Sequence, residues 1–178
     1  MGIPTLIATL TADGDSSLTD TSSMTSTYDE YMFVFTDINP ATDDQQFQFQ
    51  VNASSQSGYN ETMTTTSFQA YHKEDASAAA VSYNDDHDQA QATSYHSLTN
   101  GIGNGSDESA AGILHIFSPA STTYVTHFYA RANTYYSGDN STDWFSTGYV
   151  NVTAAIDEIS FKVESGNFDG VIQIYGIS

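Results

Sequence analysis

Residues 46–51 read QFQFQV, and their strict alternation of polar and apolar side chains decides the fold class. Phe47, Phe49 and Val51 occupy the odd-numbered positions, and three glutamines occupy the even-numbered positions. Successive side chains of a β-strand point to opposite faces of the sheet, so this spacing predicts a strand with one buried and one solvated face. The aromatic residues of the buried parity also fit a pleated surface well.

The same pattern extends outward from this stretch. Residues 159–164 (ISFKVE) alternate in the same way, and residues 110–117 and 124–132 flank Ser118-Pro119 as the two strands of a predicted hairpin. Turn clusters of Gly, Asn, Asp and Pro recur about every 8–12 residues, which is typical of sandwiches. The sequence therefore predicts an all-β chain, a single antiparallel β-sandwich or jelly roll of about eight to ten strands that spans residues 1–178. The one helical-looking stretch is 74–81 (EDASAAAV).

The charge of the chain is unbalanced because bases are scarce. Of 178 residues, 22 are acidic and three are basic, Lys73, Arg131 and Lys162, which gives a formal charge of -19. Proteins that bind nucleic acid or anionic lipid neutralise phosphates with several Lys and Arg side chains. The composition therefore predicts that neither nucleic acid nor a membrane surface is a partner.

The densest acidic segment is a candidate calcium site. Asp85, Asp86 and Asp88 follow one another closely beside Asn84, and Ca²⁺ prefers six to eight such oxygen ligands. The spacing matches no standard calcium loop, so the alternative is a solvated acidic loop. No other cofactor is predicted.

Aromatic residues around one predicted turn form a candidate glycan-binding site. Tyr135, Tyr136 and Trp144 flank Asp139 and Asn140. Flat rings stack on the apolar face of a sugar, and carboxylate and amide groups accept or donate hydrogen bonds to its hydroxyls. The alternative is that these rings pack in the core or at a subunit interface, where Tyr and Trp are enriched.

Catalytic motifs are not readable in the sequence, and we expect no enzymatic activity. The chain has no cysteine, which excludes a thiolate nucleophile, and it contains neither the G-x-S-x-G nor the H-E-x-x-H pattern. His115 and His127 fall in the two strands of the predicted hairpin and so could approach one another. The alternative is that each is a partly buried strand residue hydrogen-bonded to a neighbour.

Three stretches together resemble a known group of proteins. They are residues 28–44 (YDEYMFVFTDINPATDD), 112–128 (GILHIFSPASTTYVTHF) and 155–177 (AIDEISFKVESGNFDGVIQIYGI). This pattern of aromatic strands and acidic turns is similar to that of β-rich virion structural proteins of marine tailed bacteriophages, of the tail-fibre, appendage and decoration types. The resemblance implies a β-sandwich and a place on the virion, assembled in the host cytoplasm, and it implies no catalytic residues.

These observations lead us to expect a non-enzymatic virion structural protein on the outer surface of the particle, as a head decoration, short fibre or tail appendage that aids host attachment. Its partners would be other virion proteins, a host surface glycan and further copies of itself, with a trimer favoured by analogy with phage appendages. Residues 31–35 and 113–117 are apolar on both parities, which is more apolar surface than one sandwich face needs. The alternatives are a carbohydrate-binding module and an extracellular structural protein of a marine or halophilic microbe.

Overall fold

A computed structural model describes residues 2–178 and confirms the all-β prediction. Its thirteen strands are all paired antiparallel. In chain order they are β1 (Thr5–Asp15), β2 (Leu18–Asp20), β3 (Glu30–Pro40), β4 (Phe47–Ala53), β5 (Met63–Lys73), β6 (Ala79–Tyr83), β7 (Ala90–Ala92), β8 (His96–Ser97), β9 (Ala110–Phe117), β10 (Thr126–Tyr136), β11 (Asn140–Val150), β12 (Ile156–Val163) and β13 (Phe168–Ile177).

The strands form two sheets. A nine-stranded sheet has the order β1-β13-β3-β9-β10-β11-β5-β6, with β7 also paired to β5, and a four-stranded sheet has the order β2-β12-β4-β8. The predicted hairpin is present as β9 and β10. Over residues 2–178, the structure has no helix of the length and apolarity needed to cross a bilayer.

The helical-looking stretch at residues 74–81 does not form a helix. These residues form the turn after β5 and the first half of β6, where Ala80 pairs with Tyr71 and Val81 with Ala70. Two turns of alanine-rich chain are too short to form a stable helix alone, since isolated helices need about 12–15 residues. The antiparallel ladder with β5 therefore determines the local structure.

Aromatic side chains fill the space between the sheets. Phe33 and Phe35 of β3 reach the small sheet, where their ring centroids lie 5.6 Å from Phe161 and 5.2 Å from Phe47. Phe49 of β4 meets Phe128 of β10 edge-on at 5.0 Å. These contacts tie the two sheets into a sandwich, as the alternation in residues 46–51 predicts.

The face of β4 that carries the glutamines is less exposed to solvent than the sequence indicates. Gln50 is fully buried, and its amide nitrogen donates hydrogen bonds to the carbonyl oxygens of Glu61, Thr93 and Ser94. The segment that precedes β8 therefore covers this part of the small sheet. Alternation identified the strand, but it could not show that a loop packs on its second face.

The small sheet is narrower than the large one, and the segment between β6 and β9 covers the rest of the inner face. Under this cover the side chains are polar: Ser67, Thr142, Ser146 and His96 are buried there. His96 has no exposed surface, and its Nε2 lies 2.9 Å from the hydroxyl of Ser146. Burial lowers the pKa of His96 to about 3, so the imidazole is neutral in the folded chain.

Candidate functional site

The three aspartates of the candidate calcium site do not form a metal centre. Asp85 and Asp86 begin a single 3₁₀ turn, and Asp88 follows it and accepts a hydrogen bond from the hydroxyl of Tyr83. Within residues 2–178, no three His, Asp or Glu side chains are grouped so that they could hold a metal ion. The arrangement fits the alternative of an acidic loop.

Trp144 does not present its ring to solvent, so the prediction that it forms a sugar-stacking face is wrong. It lies on the inner face of β11, in the same parity as Thr142 and Ser146, and it is fully buried. Its indole packs edge-on against His87, with the ring centroids 4.9 Å apart. Trp144 therefore anchors the 3₁₀ turn to the sheet, as the packing alternative expects.

The other residues of the candidate glycan site lie around the turn between β10 and β11. Tyr135 and Asn140 line a surface cavity of about 470 Å³ together with Asn133, Glu74 and Asp107. Partial burial and the nearby Glu74 carboxylate raise the pKa of Tyr135. The cavity is polar and open to solvent, and it brings acceptors and amides next to one tyrosine ring.

Tyr136 and Asp139 belong to the turn rather than to this cavity. Asp139 adopts a left-handed backbone conformation, and its backbone N–H donates to the carbonyl of Tyr136 at 3.0 Å. Tyr136 pairs with Ile102 on the other side. Of the five predicted residues, the structure thus brings two, Tyr135 and Asn140, to one cavity.

His115 and His127 both lie on the outer face, but their strands do not place them opposite each other. His115 pairs with Tyr129, and His127 pairs with Phe117. The His115 ring stacks on Tyr129 with centroids 4.7 Å apart, and its Nδ1 is hydrogen-bonded to Glu30. His115 therefore matches the alternative of a partly buried, hydrogen-bonded strand residue, whereas His127 is exposed.

The outer face of the nine-stranded sheet carries a continuous apolar surface that the sequence did not reveal. The strand registers align one residue from each of six neighbouring strands in a single row across the sheet. From β6 to β3 the row reads Tyr83, Phe68, Phe145, Arg131, Ile113 and Val34. We call its exposed apolar part, with two flanking residues, the outer-face patch: Val81, Tyr83, Phe68, Phe145, Tyr129 and Ile113.

Rings in the outer-face patch are held in place although they face solvent. Phe68 and Phe145 stack with centroids 4.7 Å apart and planes 6° from parallel, and the Arg131 guanidinium lies 4.8 Å over the Phe145 ring. Phe68 is 46% exposed, Tyr83 63% and Tyr129 46%. Between the rings lies an apolar hollow of about 220 Å³. Fixed, exposed rings beside a hollow are typical of protein interaction surfaces.

Acidic side chains are almost absent from this face. The strands β3, β9, β10, β11, β5 and β6 contain three of the 22 acids, namely Glu30, Asp37 and Asp143. Asp143 is bound by Arg131 through two hydrogen bonds of 3.0 and 2.8 Å, and Glu30 is bound by His115. Asp37 lies beyond the patch, at an irregularity of β3. The six strands that carry the patch are thus close to neutral on a chain with a formal charge of -19. Asp88, which accepts a hydrogen bond from the Tyr83 hydroxyl, lies at the β6 edge of the patch.

One signal in the sequence does point to this surface. Residues 113–117 are apolar on both parities, and the structure places Leu114 and Ile116 in the core while Ile113 faces outward. Residues 144 and 145 show the same feature, since Trp144 is buried and Phe145 lies on the outer face. Adjacent bulky apolar residues in a strand are a sign that both faces of the sheet are buried, either within the chain or against a partner.

Comparison of the chain with protein-family models, with characterised proteins and with solved structures finds no significant match. The outer-face patch and the polar cavity beside Tyr135 are therefore the observations from which a function can be argued.

Proposed function

We propose that this protein is a non-enzymatic structural subunit on the outer surface of a bacteriophage particle, where it serves as a head decoration, short fibre or tail appendage. It is made in the host cytoplasm and becomes part of the virion, where other virion proteins and further copies of the chain are its partners. The resemblance of its strands and turns to such proteins supports the assignment to a virion.

The observation that carries this proposal is that most acidic residues lie outside the strands that form the outer-face patch. A subunit of a particle needs one surface that attaches and other surfaces that stay solvated at high local concentration. Here exposed rings occupy one sheet face, while 19 of the 22 acids lie outside the six strands that form it. The acidic loops would also repel packaged DNA, which favours an exterior position.

Purified particles of the virus that encodes the chain test this proposal. We expect the chain among the particle proteins by mass spectrometry, and we expect antibodies to its acidic loops to label intact particles. The copy number then separates a decoration protein, which covers the head, from a fibre, which is present in far fewer copies. Absence of the chain from purified particles would refute the proposal.

A second candidate function, saccharide binding, is supported by the cavity beside Tyr135. Glu74, Asp107 and the side-chain oxygen of Asn133 can accept hydrogen bonds from sugar hydroxyls, and the Tyr135 ring offers an apolar surface. The Asn133 amide nitrogen already donates to Ser141 and Thr142. Such a site would recognise a host surface glycan and so assist attachment. Trp144 has no part in it because the ring is buried.

Calorimetric titration with host polysaccharide tests the saccharide site. We expect Tyr135→Ala and Asn133→Ala to weaken binding, and Tyr124→Ala, which alters an exposed tyrosine in a distant loop, to leave it unchanged. If the unaltered chain binds no polysaccharide, or if all three variants bind equally well, the cavity is not a saccharide site.

A further inference from the structure

We propose that the outer-face patch binds a second copy of this chain, giving a two-fold symmetric dimer in which two nine-stranded sheets pack face to face. The inference rests on the proposed function, because it names the partner of the surface that the structural subunit uses. Sheets that pack in this way lie about 10 Å apart, with the side chains of the two facing surfaces interdigitated.

The charge distribution permits a second copy as the occupant. Two chains of formal charge -19 repel each other over most of their surfaces, and like charges brought together at an interface are strongly unfavourable. The outer face avoids this cost, because Arg131 neutralises Asp143 and His115 contacts Glu30. At the centre of the patch, a copy of this chain can therefore approach another without bringing unpaired acids together, and the nearest acidic segment, with Asp88 on the Tyr83 hydroxyl, lies at the β6 edge.

The area of the patch is large enough to form the apolar centre of such an interface. If a full aromatic side chain presents about 200 Å², the exposed fractions of Phe68, Tyr83 and Tyr129 leave roughly 300 Å² of ring surface in water. Val81, which is 76% exposed, and Ile113 add to it. The row spans about 24 Å from β6 to β3 at ~4.8 Å per strand spacing. These side chains together supply somewhat more than half of the ~800 Å² per partner of a standard interface, as its apolar centre.

Symmetry follows from the use of a single surface. A surface that binds its own copy closes as a two-fold dimer, whereas a trimer needs two different surfaces on each subunit. The outer-face patch is one such surface, centred on Phe145 and Arg131. We therefore propose a dimer as the basic unit in place of the trimer expected from the resemblance.

Sedimentation equilibrium of the purified chain tests this inference with two matched pairs of variants. Thr66→Glu places a charge on the exposed outer face beside Phe68, and Thr123→Glu places the same charge on an exposed loop. Phe68→Ser removes a ring from the patch, and Tyr124→Ser removes a more exposed ring, 75% exposed, outside it. Circular dichroism confirms that each variant remains folded.

We expect the unaltered chain to have twice its 19.3 kDa mass, and we expect added salt to tighten the dimer by screening the remaining repulsion. Thr66→Glu and Phe68→Ser should raise the dissociation constant at least tenfold, while both loop variants leave it unchanged. A monomeric or trimeric unaltered chain, or equal effects of patch and loop variants, would overturn the inference. The particle test of the proposed function is independent, since a monomeric chain could still be found on virions.

Discussion

Lowering the pH should destabilise the folded chain through His96. In the folded chain, burial holds the pKa of this imidazole at about 3, whereas its ordinary value is 6.5. The unfolded chain therefore binds a proton at His96 as the pH falls below 6.5, while the folded chain does not. Stability is fully present above pH 6.5 and is lost progressively as the pH falls towards 3.

The size of this effect follows from the two pKa values. Between pH 7.5 and pH 5, the difference in proton binding lowers the free energy of unfolding by about 2 kcal/mol. His87 acts in the same direction, because burial, its main perturbation, lowers its pKa as well.

Urea unfolding at pH 7.5 and pH 5 measures this loss directly. His96→Gln should be less stable than the unaltered chain at pH 7.5 and should lose most of the pH dependence. His72→Gln, which alters an exposed histidine, is the matched control and should retain it. If the unaltered chain is equally stable at both pH values, or if His96→Gln shows the same loss, the argument from burial is refuted.

Other predictions follow from single contacts. Gly112→Ala should destabilise the fold by about 1–3 kcal/mol in thermal unfolding, because an added Cβ would lie 2.6 Å from the carbonyl oxygen of Arg131; an unchanged melting temperature would contradict this. Trp144→Ala should cost about 3–5 kcal/mol in urea unfolding, because it opens a cavity under the 3₁₀ turn; a cost below ~1 kcal/mol would show that the ring is not packed as described. Arg131→Gln should leave the stability of the monomer nearly unchanged, since its ion pair is exposed. In sedimentation it should nevertheless weaken the dimer more than Asp143→Asn does, because it leaves two unpaired carboxylates at the interface.

The strands could be predicted from the sequence because alternation is a local property. The stretch at residues 46–51 became β4, with Phe47, Phe49 and Val51 buried as expected. Which face of a strand is covered depends on segments distant in sequence, and local periodicity does not contain that information. This is why Gln50 was expected in solvent although a loop buries it.

The candidate sites show the same limit. Trp144 and Tyr135 lie close in sequence, and both flank the turn between β10 and β11. Their side chains nevertheless point to opposite faces of the sheet, so the Trp144 ring is buried and the Tyr135 ring lines a surface cavity. The full extent of the outer-face patch could not be predicted, although residues 113–117 point to it, because its row combines strands that are far apart in the chain. Phe68 and Phe145 stack directly, and no pattern within either strand indicates that pairing.

The central claim is that the outer face meets a second copy of itself, and a distance between two copies tests it most directly. Because the chain has no cysteine, Ala111→Cys gives one site for a spin label, on the exposed outer face of β9 beside Ile113. Two sheets packed about 10 Å apart over a patch about 19 Å wide place the two labels within about 40 Å of each other. Pulsed electron resonance should show one such distance, lost when unlabelled chain is added in excess. A labelled chain that remains folded but shows no distance between copies would contradict the claim.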